Sequence, residues 1–138
     1  MPEKSLQKAK EWVAKAIAFY NQTGQAVALA EFSNPKGSFV KGDMYVFVVN
    51  FRGTMLAHGA NDKYVGQNFM DVRDANGKKF VQEIIQSARS KDSGWVEYVW
   101  YNPVTKGDLP KQVYFEKVND LIICSGDYKE MWKSQSSF

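Results

Sequence analysis

At 138 residues and a net charge of +3, the chain is long enough for one domain whose core needs no covalent staples. The charge is small and no basic run interleaves with aromatics, so the electrostatic footprint of a nucleic-acid binder is missing. A single cysteine, Cys124, excludes an internal disulfide and thiol-only zinc or iron–sulfur sites. It lies in Leu121-Ile122-Ile123-Cys124 and reads as an inert buried thiol. No apolar run is long enough to span a bilayer, and no signal-peptide pattern opens the chain. Aromatic content is high at 14%, which suits a core that lines a small-molecule pocket.

In chain order, residues 5–20 carry Leu6, Ala9, Trp12, Val13, Ala16, Ile17 and Tyr20 at helical spacing and predict a long amphipathic helix. Residues 25–32 continue as a shorter, Ala-rich helical piece. Met44-Tyr45-Val46-Phe47-Val48-Val49 is β-branched and aromatic and predicts a strand. Asn50-Phe51-Arg52-Gly53 has the chemistry of a tight turn, and Thr54-Met55-Leu56-Ala57-His58 returns as the second strand of a hairpin. A two-residue turn would pair Tyr45 with His58, whereas a bulge at Gly53 would shift the register by one and send them to opposite faces.

Residues 61–74 are mostly irregular, the kind of segment that often carries a binding loop over a sheet. A second amphipathic helix spans 77–90, with Phe80, Val81, Ile84, Ile85 and Ala88 on its apolar face. Strands follow at 95–101, 111–118 and 121–126. Residues 102–110 join the first two as a loop, and Asn119-Asp120 joins the last two as a tight hairpin. Residues 129–138 read as a polar, frayed tail. The string predicts an α+β fold, a five-stranded antiparallel sheet with a long N-terminal helix and a further helix packed on it.

Chemistry-bearing candidates are few. His58 is the only histidine, no family motif surrounds any serine, and one imidazole with scattered acids is poor support for a metal. Asp71-Val72-Arg73-Asp74-Ala75-Asn76-Gly77 lacks the final glutamate of a calcium loop. More informative are Trp95-Val96-Glu97-Tyr98-Val99-Trp100-Tyr101 and Lys111-Gln112-Val113-Tyr114. Phenols and a lysine amine together can orient a small anion, although the same residues can equally be core and interface aromatics beside a solvated lysine.

The order of these pieces resembles the single Cache domain family. The resemblance rests on Gly42-Asp43-Met44-Tyr45-Val46-Phe47, Ala57-His58-Gly59, Val65-Gly66-Gln67-Asn68, Gly94-Trp95-Val96-Glu97-Tyr98, Pro110-Lys111 and Gly126-Asp127-Tyr128, and it covers roughly residues 5–128. It implies a PAS-like fold and one ligand-binding domain over 1–138, serving as a periplasmic or extracellular sensor. The implied function is reversible binding of a short carboxylate or amino acid for signal transduction or chemotaxis, without catalysis, metal or cofactor. Tyr45, His58, Tyr98, Trp100, Lys111 and Tyr114 are the implied ligand-binding residues. The resemblance is compatible with a homodimer through the N-terminal helix. Two alternatives stand beside it: a small enzyme using His58 as acid or base, and an interaction module with no ligand.

Overall fold

The computed structural model describes residues 3–129. The expected polar tail, apart from Lys129, lies outside the described residues. Helix α1 (Glu3–Thr23) and helix α2 (Gln25–Phe32) are followed by strands β1 (Val40–Lys41), β2 (Met44–Asn50) and β3 (Met55–His58). A single 3₁₀ turn (Asp62–Tyr64) and helix α3 (Phe80–Ser90) precede strands β4 (Ser93–Asn102), β5 (Gly107–Val118) and β6 (Leu121–Tyr128).

The sheet is antiparallel and runs β3-β2-β6-β5-β4, the five expected strands, with the two-residue β1 added beside the start of β2. Both of its faces are covered. One receives α1 and α2, burying Ala9, Val13, Ala16, Ala28 and Phe32 against Val46, Val48, Leu121 and Ile123. The other receives α3 and the 61–79 segment, burying Phe80, Ile84 and Ile85 against Phe47, Val96, Val113 and Phe115. Alternate residues of β2, β4, β5 and β6 therefore serve different cores.

The β2–β3 hairpin resolves the register question in an unforeseen way. Asn50 holds a three-residue turn by accepting hydrogen bonds at its side-chain oxygen from the Arg52 and Thr54 amides, and Gly53 sits at φ 87°. That moves the register by one residue. A bulge between Met55 and Ala57 moves it by one more, so His58 pairs with Phe47. Two shifts restore parity, and Tyr45 and His58 share a face.

Two element starts differ from expectation by three residues or more. Strand β5 begins at Gly107, so only 103–106 form the loop. Pro110 is tolerated in β5 because it lies one residue beyond the Lys111–Tyr128 pair, the last pair with β6. Helix α3 starts at Phe80, because Asp74 folds the preceding residues into a loop. Its Oδ1 accepts from the amides of Asn76 (2.9 Å) and Lys78 (2.8 Å).

The same loop covers the outer edge of β4. Asp74 Oδ2 accepts from the Val99 amide at 2.9 Å, and Lys78 Nζ donates to the Glu97 carbonyl at 2.6 Å. On the opposite edge, the Met55 amide donates to the Gln67 carbonyl and the Gly66 amide donates to the Met55 carbonyl. No helix among the described residues is long and apolar enough to cross a membrane.

The β5–β6 interior leaves no room at Gly126, where an added Cβ would lie 2.4 Å from the Gln112 carbonyl and 2.9 Å from Val113 Cα. Gly126→Ala is expected to lower unfolding stability by about 2 kcal/mol, because backbone cannot yield as a side chain does. Gly107→Ala, with open space around the new methyl, is expected to stay within about 0.5 kcal/mol. Urea denaturation of the two variants checks both.

Candidate functional site

Strand parity aims a set of polar side chains at the α3 face. Lys111 is directly opposite Tyr98 on β4 and Tyr128 on β6, so all three project together. Lys111 is fully buried. Its Nζ donates to the Tyr45 hydroxyl at 2.9 Å and lies 4.0, 5.0 and 5.4 Å from the ring centres of Tyr45, Tyr128 and Phe47. Among the described residues, no carboxylate comes within ion-pair distance of it. Aromatic faces attract a cation, but they do not neutralise it.

Burial pushes the Lys111 amine down to about 7, with Cys124, Asp43 and Asp127 opposing the shift. Burial also pushes the Tyr45, Tyr98 and Tyr128 phenols and the Cys124 thiol upward, so all four are neutral donors at ordinary pH. The Tyr128 hydroxyl is anchored by donating to the Tyr101 carbonyl at 2.7 Å, and it stands 3.3 Å from the Tyr45 hydroxyl.

His58 occupies the other end. Its ring lies 4.8 Å from Tyr45 and 4.9 Å from Tyr64, the latter edge-on. Its Nδ1 accepts from the amides of Ala60 (3.2 Å) and Asn61 (3.0 Å). Burial, reinforced by the charge of Lys111, pushes the imidazole down to about 3. The ring is therefore neutral, with its proton on Nε2. Its one basic lone pair already holds two amides, so it can donate to a ligand but cannot abstract a proton. Lys111, not His58, is thus the group of the two whose shifted value falls near neutral pH.

Tyr45, His58, Tyr98 and Trp100 line one cavity, together with Phe47, Met55, Phe69 and Phe80. Its volume is about 10 Å³, room for one water. Lys111 stands just behind, bonded to Tyr45. Five of the six expected residues thus converge, and Tyr114 does not. It is three positions from Lys111, an odd number, so it faces α1, packs on Trp95 at 5.1 Å and donates to Glu116 at 2.9 Å. Tyr114 is removed from the site.

Sequence reasoning missed Phe47 and Tyr128. Both were accessible by parity, Phe47 as the second residue after Tyr45 and Tyr128 as the second after Gly126. Met55, Phe69 and Phe80 read in sequence only as apolar residues of their own segments, and nothing local marks them as cavity lining.

A family model described as Single Cache domain 2 matches residues 2–135. The chain belongs to the single Cache domain family. It is 32% identical over 88 residues to the methyl-accepting chemotaxis protein McpP of Pseudomonas putida, a match that covers 62% of this chain and 16% of that receptor. Among solved structures, a methyl-accepting chemotaxis protein from Vibrio parahaemolyticus superposes with a TM-score of 0.81 at 19% identity, covering 94% of this chain and 91% of that one. A second, titled for carboxylic acid recognition by a Cache chemosensory domain, superposes with a TM-score of 0.76 at 24% identity, covering 93% and 92%. The structural likenesses establish the Cache fold, and the family the chain belongs to is one of non-enzymatic sensing modules.

The lysine in this Cache domain makes stability pH-dependent. The unfolded amine keeps its proton up to about 10.5, and the folded one loses it near about 7. Between those values the unfolded state holds the extra proton, so stability rises with pH. In Lys111→Met, which keeps the volume and removes the charge, that slope disappears and the melting temperature near neutral pH is unchanged or raised. Thermal melts across the window measure both.

Proposed function

We propose that this Cache domain is the extracytoplasmic ligand-binding part of a sensor, and that it reversibly binds a short-chain carboxylate on the α3 side of the sheet for signal transduction or chemotaxis. One observation carries the reading: a fully buried lysine with no carboxylate of the described residues to pair with. A buried cation without a counter-charge costs several kcal/mol. A ligand carboxylate would supply that charge where low polarity makes the pairing strong.

Around it, the Tyr98 hydroxyl and His58 Nε2–H are donors that would offer the anion hydrogen bonds, and the Tyr45 hydroxyl would join them by turning its proton away from Tyr128. Trp100 and Phe80, 4.8 Å apart, would cover its apolar end. The small cavity favours ligands of few carbon atoms. The carboxylic acid named for the solved Cache relative supports the same class. The outer face of α1 carries exposed Lys8, Lys10 and Glu11, and two copies pairing through that helix would leave the cavity face untouched.

Calorimetry with acetate, propionate, lactate and pyruvate tests the assignment. Lys111→Ala and His58→Ala are each expected to weaken a confirmed ligand roughly ten- to a hundredfold, the loss of a hydrogen bond to a charged group. Unchanged affinity in both would refute it. Because the anion favours charged Lys111, binding takes up a proton above a pH of about 7, and affinity falls as pH rises beyond that value. Titrations in buffers of different ionisation enthalpy read the proton directly.

A further inference from the structure

The inner cavity has room for one water and is too small for the proposed ligand, so something must move for an anion to enter. Beside it lies a second, open cleft of about 310 Å³. Trp100 lines both spaces. Tyr64 lines the outer cleft and stands edge-on against His58, which lines the inner cavity. The partition between them is therefore one aromatic layer thick, with the two rings 6.2 Å apart.

That layer is the movable wall of the cavity. Tyr45, Phe47, Met55, Phe69, Phe80 and Tyr98 are buried core residues whose displacement would open the sheet–helix interface. Tyr64 and Trp100 are only partly buried. Tyr64 ends a single 3₁₀ turn flanked by exposed residues, and Trp100 lies toward the end of an edge strand.

The outer cleft is also charged in a directed way. Arg73 lines it and spends one N–H on the Gly77 carbonyl at 2.8 Å, leaving the rest of its fork without a partner among the described residues. Asp74 lines it too, but its carboxylate is occupied by three backbone amides. Asp108 is the second carboxylate of the lining and is exposed.

We infer that this cleft is the ligand's entry chamber, with Arg73 the first charge a small carboxylate meets, Asp108 the opposing one, and the Trp100–Tyr64 pair the door into the inner cavity. The inference rests on the reading of the inner cavity as a carboxylate site. Arg73 raises the local concentration of the anion, and Asp108 lowers it. The two rings then swing toward solvent, the anion passes to Tyr45 and Lys111, and the rings close over it.

NMR line-shape titrations with sodium acetate, propionate, lactate and pyruvate separate association from dissociation rates. Arg73→Gln is expected to slow association roughly threefold, and Asp108→Asn to speed it by a similar factor, which is what one charge about 6 Å away supplies in water. Both effects should fade in high salt. Trp100→Ala and Tyr64→Ala are each expected to raise the association rate roughly threefold or more, as for binding relieved of a conformational step. A wall that only held the ligand would raise dissociation and leave association unchanged.

Thermal melts confirm that each variant is folded, and the two surface-charge variants keep the test available if an aromatic one is not. Association rates unmoved across the folded variants would overturn the entry chamber while leaving the binding site intact. Absence of binding to the unmodified protein by all four anions would overturn the carboxylate reading itself, and the entry chamber with it.

Discussion

Lys111 carries its amine into the interior of a sheet that is covered on both sides. Three aromatic rings surround it, one phenol accepts from it, and no acid of the described residues pairs with it. Because both faces are covered, parity along each strand decides which side chains share this environment. Residues of one parity pack on α1 and α2. Those of the other meet the amine, the Tyr45–Tyr128 hydroxyl pair and His58. The electrostatics follow from that geometry, since the burial that holds the amine near neutrality also keeps the surrounding phenols and the imidazole uncharged.

Where sequence pattern and parity were enough, the fold was legible. The α1 stripe, the Asn119-Asp120 hairpin and the apolar face of α3 follow from periodicity and turn chemistry. The β2–β3 pairing was legible only as an alternative. Its outcome depends on a three-residue turn fixed by one asparagine side chain and on a bulge with no sequence mark, and parity survives only because the two shifts add to an even number. Tyr114 shows the opposite failure. It lay in a motif with Lys111, and counting along the strand would have placed it on the other face. The start of β5 was obscured by Pro110, whose usual meaning as a strand breaker lapses where β6 has already ended. The aromatic ceiling of the cavity, Phe69 and Phe80, depends on how the 61–79 segment lies over the sheet, and no local pattern encodes that.

The size of the cavity constrains the sensing event as much as its chemistry does. A site with room for one water cannot accept even a short carboxylate without displacing side chains, so occupancy and a change of shape come together. The walls least tied down are Tyr64 and Trp100, near the end of β4, since Phe69 and the remaining walls belong to the shared core. A ligand taken up as proposed would be felt as a rearrangement on the α3 side, with the α1–α2 layer across the sheet packed on residues of opposite parity.

The loop held by Asp74 has a further effect. A sheet normally ends in strands whose unpaired amides and carbonyls invite another strand to add. Here Asp74 and Lys78 occupy the middle of the β4 edge, and the 66–67 backbone occupies the β3 edge. Neither rim offers a continuous ladder to a neighbour. The chain can therefore sit at high local density without its sheet edges adding strand to strand into a fibre.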